Sequence, residues 1–300
     1  MQKNKFKRIK YIFKKYNTFK SNPLTAHFPI YYFAKYIYAN SILYIFKSEL
    51  SFTFLNNIKV KAKRGDGIIG NYHSVLQEPI DSVFLLKYLQ PGDTFLDIGA
   101  NVGHYSLIAS AYSKCKVIAI EPIPNTYTQL INNLERNQLQ HKVNALNIGL
   151  GDKNGKLFFT NSQFTTNKVS KDNTGIEVAV KTADQITQDH TINAVKIDVE
   201  GYEWFVLKGA KQLLQSSSLN IIIIELNESG KYFSISDEQI VALLNENGFN
   251  QYEYDIANNS LIPLEHKNKK QFNTVFVKNI QQATQRLQQS NSLKIGKKVF

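Results

Sequence analysis

The chain has 300 residues, 36 Lys and Arg against 24 Asp and Glu, a formal net charge of +12 and one cysteine, Cys115. That single cysteine excludes an internal disulfide, no Cys/His grouping has zinc-ligand spacing, and the length suits one α/β domain with terminal additions in a reducing, cytoplasmic compartment. Residues 1–48 hold ten Lys/Arg and no acid, residues 278–300 hold five and no acid, and the rest sets 21 basic against 24 acidic residues, a net of −3; this excludes a broad phosphate-binding face on the body and leaves polyanion or membrane contact to the ends.

The organisation expected is a basic, Tyr-rich helical extension over 1–50, a catalytic domain over 51–279 and a polar basic tail over 280–300. In the first twenty residues Phe6, Ile9, Phe13 and Tyr16 fall at helical spacing among Lys5, Lys7, Lys10 and Lys14. Such a segment suits a frayed, solvated arm, a helix packed on its own domain, or peripheral contact with an anionic membrane, on the inner face. It is not a secretory signal, because no compact apolar stretch with a small-residue cleavage site follows. The segment 28–46 is the most apolar, but Lys35, Asn40 and Ser41 interrupt it, which argues against spanning and for Tyr-rich helices at an interface or over a substrate pocket. Short strands follow from Phe52, then a turn through Gly65, Gly67 and Gly70, and a helix over 77–89.

From Thr94 the alternation is regular. A strand is expected to start at Thr94 and run through Asp97 into the glycine turn that ends at Gly103; further strands are expected over 116–121, 143–150, 194–199 and 219–226, with helices over 104–112, 125–137, 204–214 and 237–247 between or after them. A β-hairpin over 156–160 and 176–181 is inserted, final strands fall over 251–256 and 274–278, and the Gln- and Lys-rich end reads as a loose tail or a short surface helix. Repeated βα units imply a mostly parallel sheet with helices on both faces.

In such a sheet ligands bind at the carboxyl ends of the strands. Those ends carry Asp97-Ile-Gly99-Ala-Asn101-Val-Gly103, Glu121-Pro122, Gly149-Leu150-Gly151-Asp152, Asp198-Val-Glu200-Gly201 and Glu225. Carboxylates repel phosphate, and the three-glycine dinucleotide fingerprint fails because only Gly99 and Gly103 flank Asn101. S-adenosylmethionine fits better, having a sulfonium and an ammonium but no phosphate. Glu121 is placed to accept its ribose hydroxyls and Asp97 to hold the ammonium; the turn through Gly99, Asn101 and Gly103 gives close backbone approach, and Gly149 and Asp152 complete the cofactor set.

The runs FLDIGANVGHYSLIA, VIAIEPIPNTYTQLINNLERN, NIGLGDKNGKL and VKIDVEGYEWFVLKGA resemble the FkbM family of S-adenosylmethionine-dependent methyltransferases, over residues 77–278. The resemblance implies a class I methyltransferase (Rossmann-like) fold with a mostly parallel seven-stranded sheet. It also implies methyl transfer to a hydroxyl of a sugar, polysaccharide or natural product; the acceptor expected for this chain is a small molecule or a glycan, a lipid-linked glycan included. An alcohol nucleophile must lose its proton, so Asp198 and Glu200 are the catalytic candidates, with orientation of substrate or capping of the following helix as their plainer role. Glu225, His73 and His104 are candidates for the acceptor side. Magnesium on Asp198, Glu200 and Glu225 is the less favoured alternative, because carboxylates in this fold also act as bases and hydrogen-bond acceptors.

His27, His141, His190 and His266 read as surface or turn residues, Trp204 as core packing, and Cys115 lacks the context of a nucleophile. The Asp/Asn-Pro-Pro-Tyr motif of amino-methylating DNA enzymes is absent. Two rival readings stay open: an RNA methyltransferase that uses the basic arm, and a membrane-surface module without turnover.

Overall fold

The protein is described here by a computed structural model covering residues 2–55, 57–160, 167–295 and 298–300, with side chains from residue 11 onward. Residues 161–166, in the loop of the inserted hairpin, lie outside the described residues, as do the side chains of Phe6 and Ile9.

Helix α1 (Gln2–Ser21) packs on α2 (Pro29–Asn40), which continues through one π-helical turn to Ile45. Their seam is aromatic: Tyr16 and Phe19 both meet the ring of Phe33 edge-on. A hairpin of β1 (Leu50–Phe54) and β2 (Ile58–Ala62) leads into the short helix α3 (Gly70–His73) and then α4 (Pro79–Tyr88). Pro79 opens α4 because proline lacks the N–H that a first turn leaves unused.

The main sheet alternates with helices as expected: β3 (Thr94–Ile98), α5 (His104–Leu107), β4 (Lys116–Ile120), α6 (Pro124–Arg136) and β5 (Val143–Leu146). A satellite sheet of β6 (Gly149–Leu150), β7 (Gly155–Phe159) and β8 (Ile176–Lys181) interrupts it, confirming the inserted hairpin. Then come α7 (Ala183–Thr187), β9 (Ala194–Ile197), α8 (Glu203–Lys208), α9 (Lys211–Gln215), β10 (Ile221–Glu225) and α10 (Asp237–Glu246). The chain closes with β11 (Asn250–Asp255), β12 (Ser260–Pro263), β13 (Asn273–Val277) and α11 (Ile280–Gln289).

The strand order is β12-β11-β13-β10-β9-β3-β4-β5, parallel from β10 to β5 and antiparallel where β13 enters beside β10. This is the Rossmann-like class I methyltransferase arrangement, with β12 added as an eighth strand at the edge. Ile221 to Ile224 are all buried, as a strand covered on both faces requires.

Three details differ from the sequence reading. The strand expected over 143–150 splits, because the Asn147 side chain donates to the carbonyls of Glu121 and Pro122 (2.8 and 3.0 Å) and turns the chain out of the main sheet. The helix expected over 204–214 breaks at Gly209, where a Cβ would lie 2.0 Å from the Gly151 carbonyl oxygen. Of its two readings the tail takes the short helix, but docked on the body: Ala283 and Leu287 of α11 are buried, and Arg286 forks onto Asp93 at 2.5 and 3.3 Å. Ala283 and Leu287 stand four apart, enough of a stripe to dock a helix that is otherwise polar.

Candidate active site

A cleft of about 220 Å³ opens at the carboxyl ends of β3, β4, β9 and β10. Its wall carries the apolar Pro122, Ile123, Leu150, Phe159 and Val169 and the acidic Glu78, Asp198, Glu200 and Glu225. With Glu121, the described wall carries five carboxylates and no Lys or Arg.

The turn after β3 is shaped by backbone conformation. Gly99 (φ +82°) lies so close to β9 that a Cβ there would sit 1.8 Å from the Asp198 carbonyl oxygen. Asn101 also has positive φ (51°), and its side-chain oxygen accepts from the Val102 amide, an αL conformation that asparagine tolerates. The amides of Asn101 and Ile123 each donate to a different oxygen of Glu121, both at 2.9 Å. Glu121 is thereby fixed at the cleft with lone pairs to spare. Burial raises its pKa to about 7 against the pull of those two amides.

Across the cleft, β9 runs into the strained turn Asp198-Val199-Glu200-Gly201. Glu200 has φ 53°, rare for a non-glycine residue, and Gly201 has φ 100°, where a Cβ would meet the Ser229 carbonyl. The buried Glu203 carboxylate pins this turn by accepting from the amides of Val199 and Gly201 (3.3 and 3.1 Å). Asp198, Glu200 and Glu225 each offer an oxygen within 4.8 Å of the others. Burial first, then the charge of Asp198, lifts Glu200 to about 7. The same causes, with a hydrogen bond to Asp198, lift Glu225 to about 9, so at neutral pH Glu225 holds a proton.

Beneath this cluster lies a charged network that the sequence reading did not assign. Lys196, with 1% of its side chain exposed, reaches Asp198 (3.3 Å) and the Asn273 side-chain oxygen (3.0 Å). Asn273 in turn donates to Glu78 (2.9 Å) and Asp81 (3.0 Å), and the Tyr105 hydroxyl donates to Glu78 (2.6 Å). Burial opposes the Lys196 charge, but Asp198, Glu78, Glu225 and Asp81 outweigh it and hold the ammonium above its ordinary pKa. The available signal was a lysine inside a strand whose neighbours are all apolar.

The other expected site residues are distributed unevenly. Gly99, Asn101, Glu121, Gly149, Asp198, Glu200, Glu225 and His104 line the cleft. Asp97 lies behind it, buried, accepting from the Ser106 hydroxyl at 2.6 Å and raised by burial to about 6. Gly103 starts α5 against Leu130 and forms no part of the wall. His104 has both ring nitrogens engaged, by Asn71 (3.0 Å) and Ser82 (2.8 Å), and burial depresses it to about 3. His73 is away from the cleft, buried among Phe19 and Tyr36, because α1 and α2 close over it. Asp152 is exposed and outside the cleft, because the chain has already turned towards the satellite sheet. Trp204 packs against the apolar core on the far face of the sheet, and Cys115 is buried.

Residues 97–250, just over half the chain, match the model of the Methyltransferase FkbM domain. The hexuronic acid methyltransferase AglP of Haloferax volcanii is 32% identical over 167 residues, covering 54% of this chain and 65% of that protein. The chain thus spans just under two thirds of that relative. Methyltransferase sdnD of Sordaria araneosa is 28% identical over 198 residues, covering 53% of this chain and 74% of that one. Among solved structures, an rRNA methylase from Streptococcus thermophilus aligns at 13% identity with a TM-score of 0.40, over 66% of this chain and 93% of that one. The fold assignment rests on the strand order itself.

Proposed function

We propose, since this chain belongs to the FkbM family of methyltransferases, that its methyl donor is S-adenosylmethionine and its acceptor a hydroxyl group of a saccharide. The observation that carries the reading is the charge of the cleft: five carboxylates with no described Lys or Arg on the wall. That lining suits a cofactor with a sulfonium and an ammonium and repels one with a diphosphate. Glu121 would take the ribose hydroxyls on its free lone pairs. The turn through Gly99 and Asn101 would hold the amino-acid end, with Asp97 reinforcing that turn from behind. Pro122, Ile123 and Leu150 would enclose the adenine.

When bound, the cofactor would supply an electrophilic methyl group on its sulfonium and leave as the neutral thioether once the carbon–sulfur bond breaks. What the chain's own residues supply is position and a base. Glu200, tuned to about 7, accepts the acceptor hydroxyl proton as the new O–C bond forms. Glu225 keeps its proton and donates to Asp198, and Lys196 holds Asp198 from below. Three carboxyl oxygens of this kind would also take a hard cation, but Lys196 already sets a positive charge against Asp198, so a metal-free base is the preferred reading. The relative named as a hexuronic acid methyltransferase supports a sugar acceptor. The acid-rich wall favours a neutral hydroxyl on that sugar over a free carboxylate.

The test is methyl transfer from labelled S-adenosylmethionine to a panel of neutral and uronic saccharides and total RNA, with saccharide products hydrolysed in alkali. Alkali-stable methyl ethers are expected. Label that enters only RNA, or only alkali-labile esters, contradicts the reading.

A further inference from the structure

The N-terminal helical pair departs furthest from an ordinary protein surface. Among the described residues fourteen large apolar side chains are exposed, and eleven of them fall within residues 11–46. On α2 and its π-helical extension they come in pairs: Ile30 with Tyr31, Ile37 with Tyr38, Tyr44 with Ile45. Each pair follows the last by seven residues, two helical turns, so the pairs form one outward stripe. The opposite stripe of the same helix, with Tyr32, Ala39 and Leu43, is buried against the body. Helix α2 is therefore apolar on two sides, and only one is covered.

Charge decides what covers the other. Residues 1–48 contain ten Lys/Arg and no acid, and Lys14, Lys20 and Lys47 are exposed. A second copy of this face would bring like charge against like. A nucleic acid would meet the cations, yet it has no use for outward Ile30, Ile37 and Ile45, since strand-binding platforms stack bases on aromatic rings. An anionic bilayer matches both features: aliphatic side chains enter the acyl boundary, tyrosines sit at headgroup level, and lysines meet anionic headgroups. Among the described residues no helix is long and apolar enough to cross a membrane, which agrees with a helix lying along the surface.

We infer that the outward stripe of α2, with the exposed Lys14, Lys20 and Lys47, is a docking surface for an anionic lipid bilayer. The surface is linked to the cleft by one short helix. Tyr38 lies against Tyr72 of α3 (6.3 Å between ring centroids), and the neighbouring Asn71 side chain bonds both the Gln77 amide (2.7 Å) and His104 (3.0 Å), which line the cleft. Docking therefore brings the cleft to the bilayer. Where the saccharide reading above holds, the acceptor is one carried on a lipid; that consequence rests on the reading, whereas docking itself does not.

The experiment is sedimentation of the full chain with vesicles of phosphatidylcholine alone or mixed with phosphatidylglycerol, at low and high salt. The protein is expected in the pellet only with anionic vesicles, with about tenfold weaker partition at high salt. The double variant Ile37→Ser, Ile45→Ser is expected to lose about another tenfold at low salt, with its circular dichroism and S-adenosylmethionine affinity unchanged. Wild-type protein that stays in the supernatant, or a variant that sediments like wild type, overturns the inference. So does a face that proves to be occupied otherwise: a dimer or an RNA complex that the double variant abolishes, with no vesicle binding. Because vesicle binding needs no methyl transfer, a failure of docking and a failure of the acceptor reading are separate results.

Discussion

The two faces of the main sheet come from the same strands and differ at every second residue. Towards α8, α9 and α10 the strands present Leu96, Ile98, Ile118, Ile120, Val195, Ile197, Ile222 and Ile224, an apolar layer that runs to the strand ends. Towards α4 and α5 the same strands begin apolar, with Phe95, Val117, Ala194 and Ile221, and end in Asp97, Lys196 and Glu225. The pairing register sets Asp97 beside Lys196 and Glu225 beside Asn273. A sheet with period-two alternation can thus give one face to cohesion and reserve the last residues of the other for charge. The energetic consequence is a contrast in tolerance: an apolar layer loses in proportion to the methyl groups removed, whereas a buried charged network fails when one member goes.

The largest effect expected from breaking that contrast is at the proposed base. Glu200→Gln keeps the shape of the turn and removes the proton acceptor, so kcat should fall by roughly 10²–10⁴ while cofactor affinity holds. In the wild type, kcat should rise with pH through about 7, as Glu200 loses its proton. A variant with unchanged kcat moves the base elsewhere in the cluster. Next is Lys196→Met against Ile222→Val, one substitution for each face. Removing the ammonium leaves Asp198, Glu78 and Asp81 uncompensated and should cost about 3–5 kcal/mol in denaturant unfolding. Trimming Ile222 should cost about 0.5–1.5 kcal/mol. Equal losses would mean that the network contributes nothing beyond its volume.

A smaller change is expected for Glu121→Gln, which still offers one oxygen to the amides of Asn101 and Ile123 but loses the charge. S-adenosylmethionine should bind about tenfold more weakly, about 1.4 kcal/mol, by calorimetry. A separate effect is on stability against pH. Burial raises Asp97 to about 6, Asp81 and Glu121 to about 7 and Glu225 to about 9. Between the unfolded carboxyl pKa and those values the folded state binds more protons than the unfolded state, so these groups lose stability as pH rises. His104 and His73, depressed to about 3 and about 4, act the other way but only below their unfolded pKa near 6.5. The melting temperature of the cofactor-free protein should therefore fall by several degrees from pH 7 to 9. A rise would contradict the assigned shifts.

The cohesive face was readable in the sequence almost entirely, because runs such as Ile221 to Ile224 announce burial on both sides. Half of the charged face was readable too: Glu121, Asp198, Glu200 and Glu225 stand at strand ends, where chain order alone puts ligands. Glu78, Asp81 and Asn273 were missed because they meet across nearly two hundred residues of chain, and no local pattern encodes such a meeting. Lys196 was overlooked because a lysine within a strand reads as a solvent-facing alternate until both faces are known to be covered. His73 was a candidate as a titratable group and Asp152 because it follows a strand end, but α1 and α2 bury the first and the turn at Gly151 carries the second away.

The central claim is that a carboxylate-lined strand edge selects a cationic, phosphate-free cofactor. Titration calorimetry of the wild-type protein with S-adenosylmethionine and, in parallel, with NAD⁺ tests it most directly. The account predicts saturable one-to-one binding of S-adenosylmethionine and no heat of binding from the dinucleotide. Saturable binding of NAD⁺ with none of S-adenosylmethionine would contradict it.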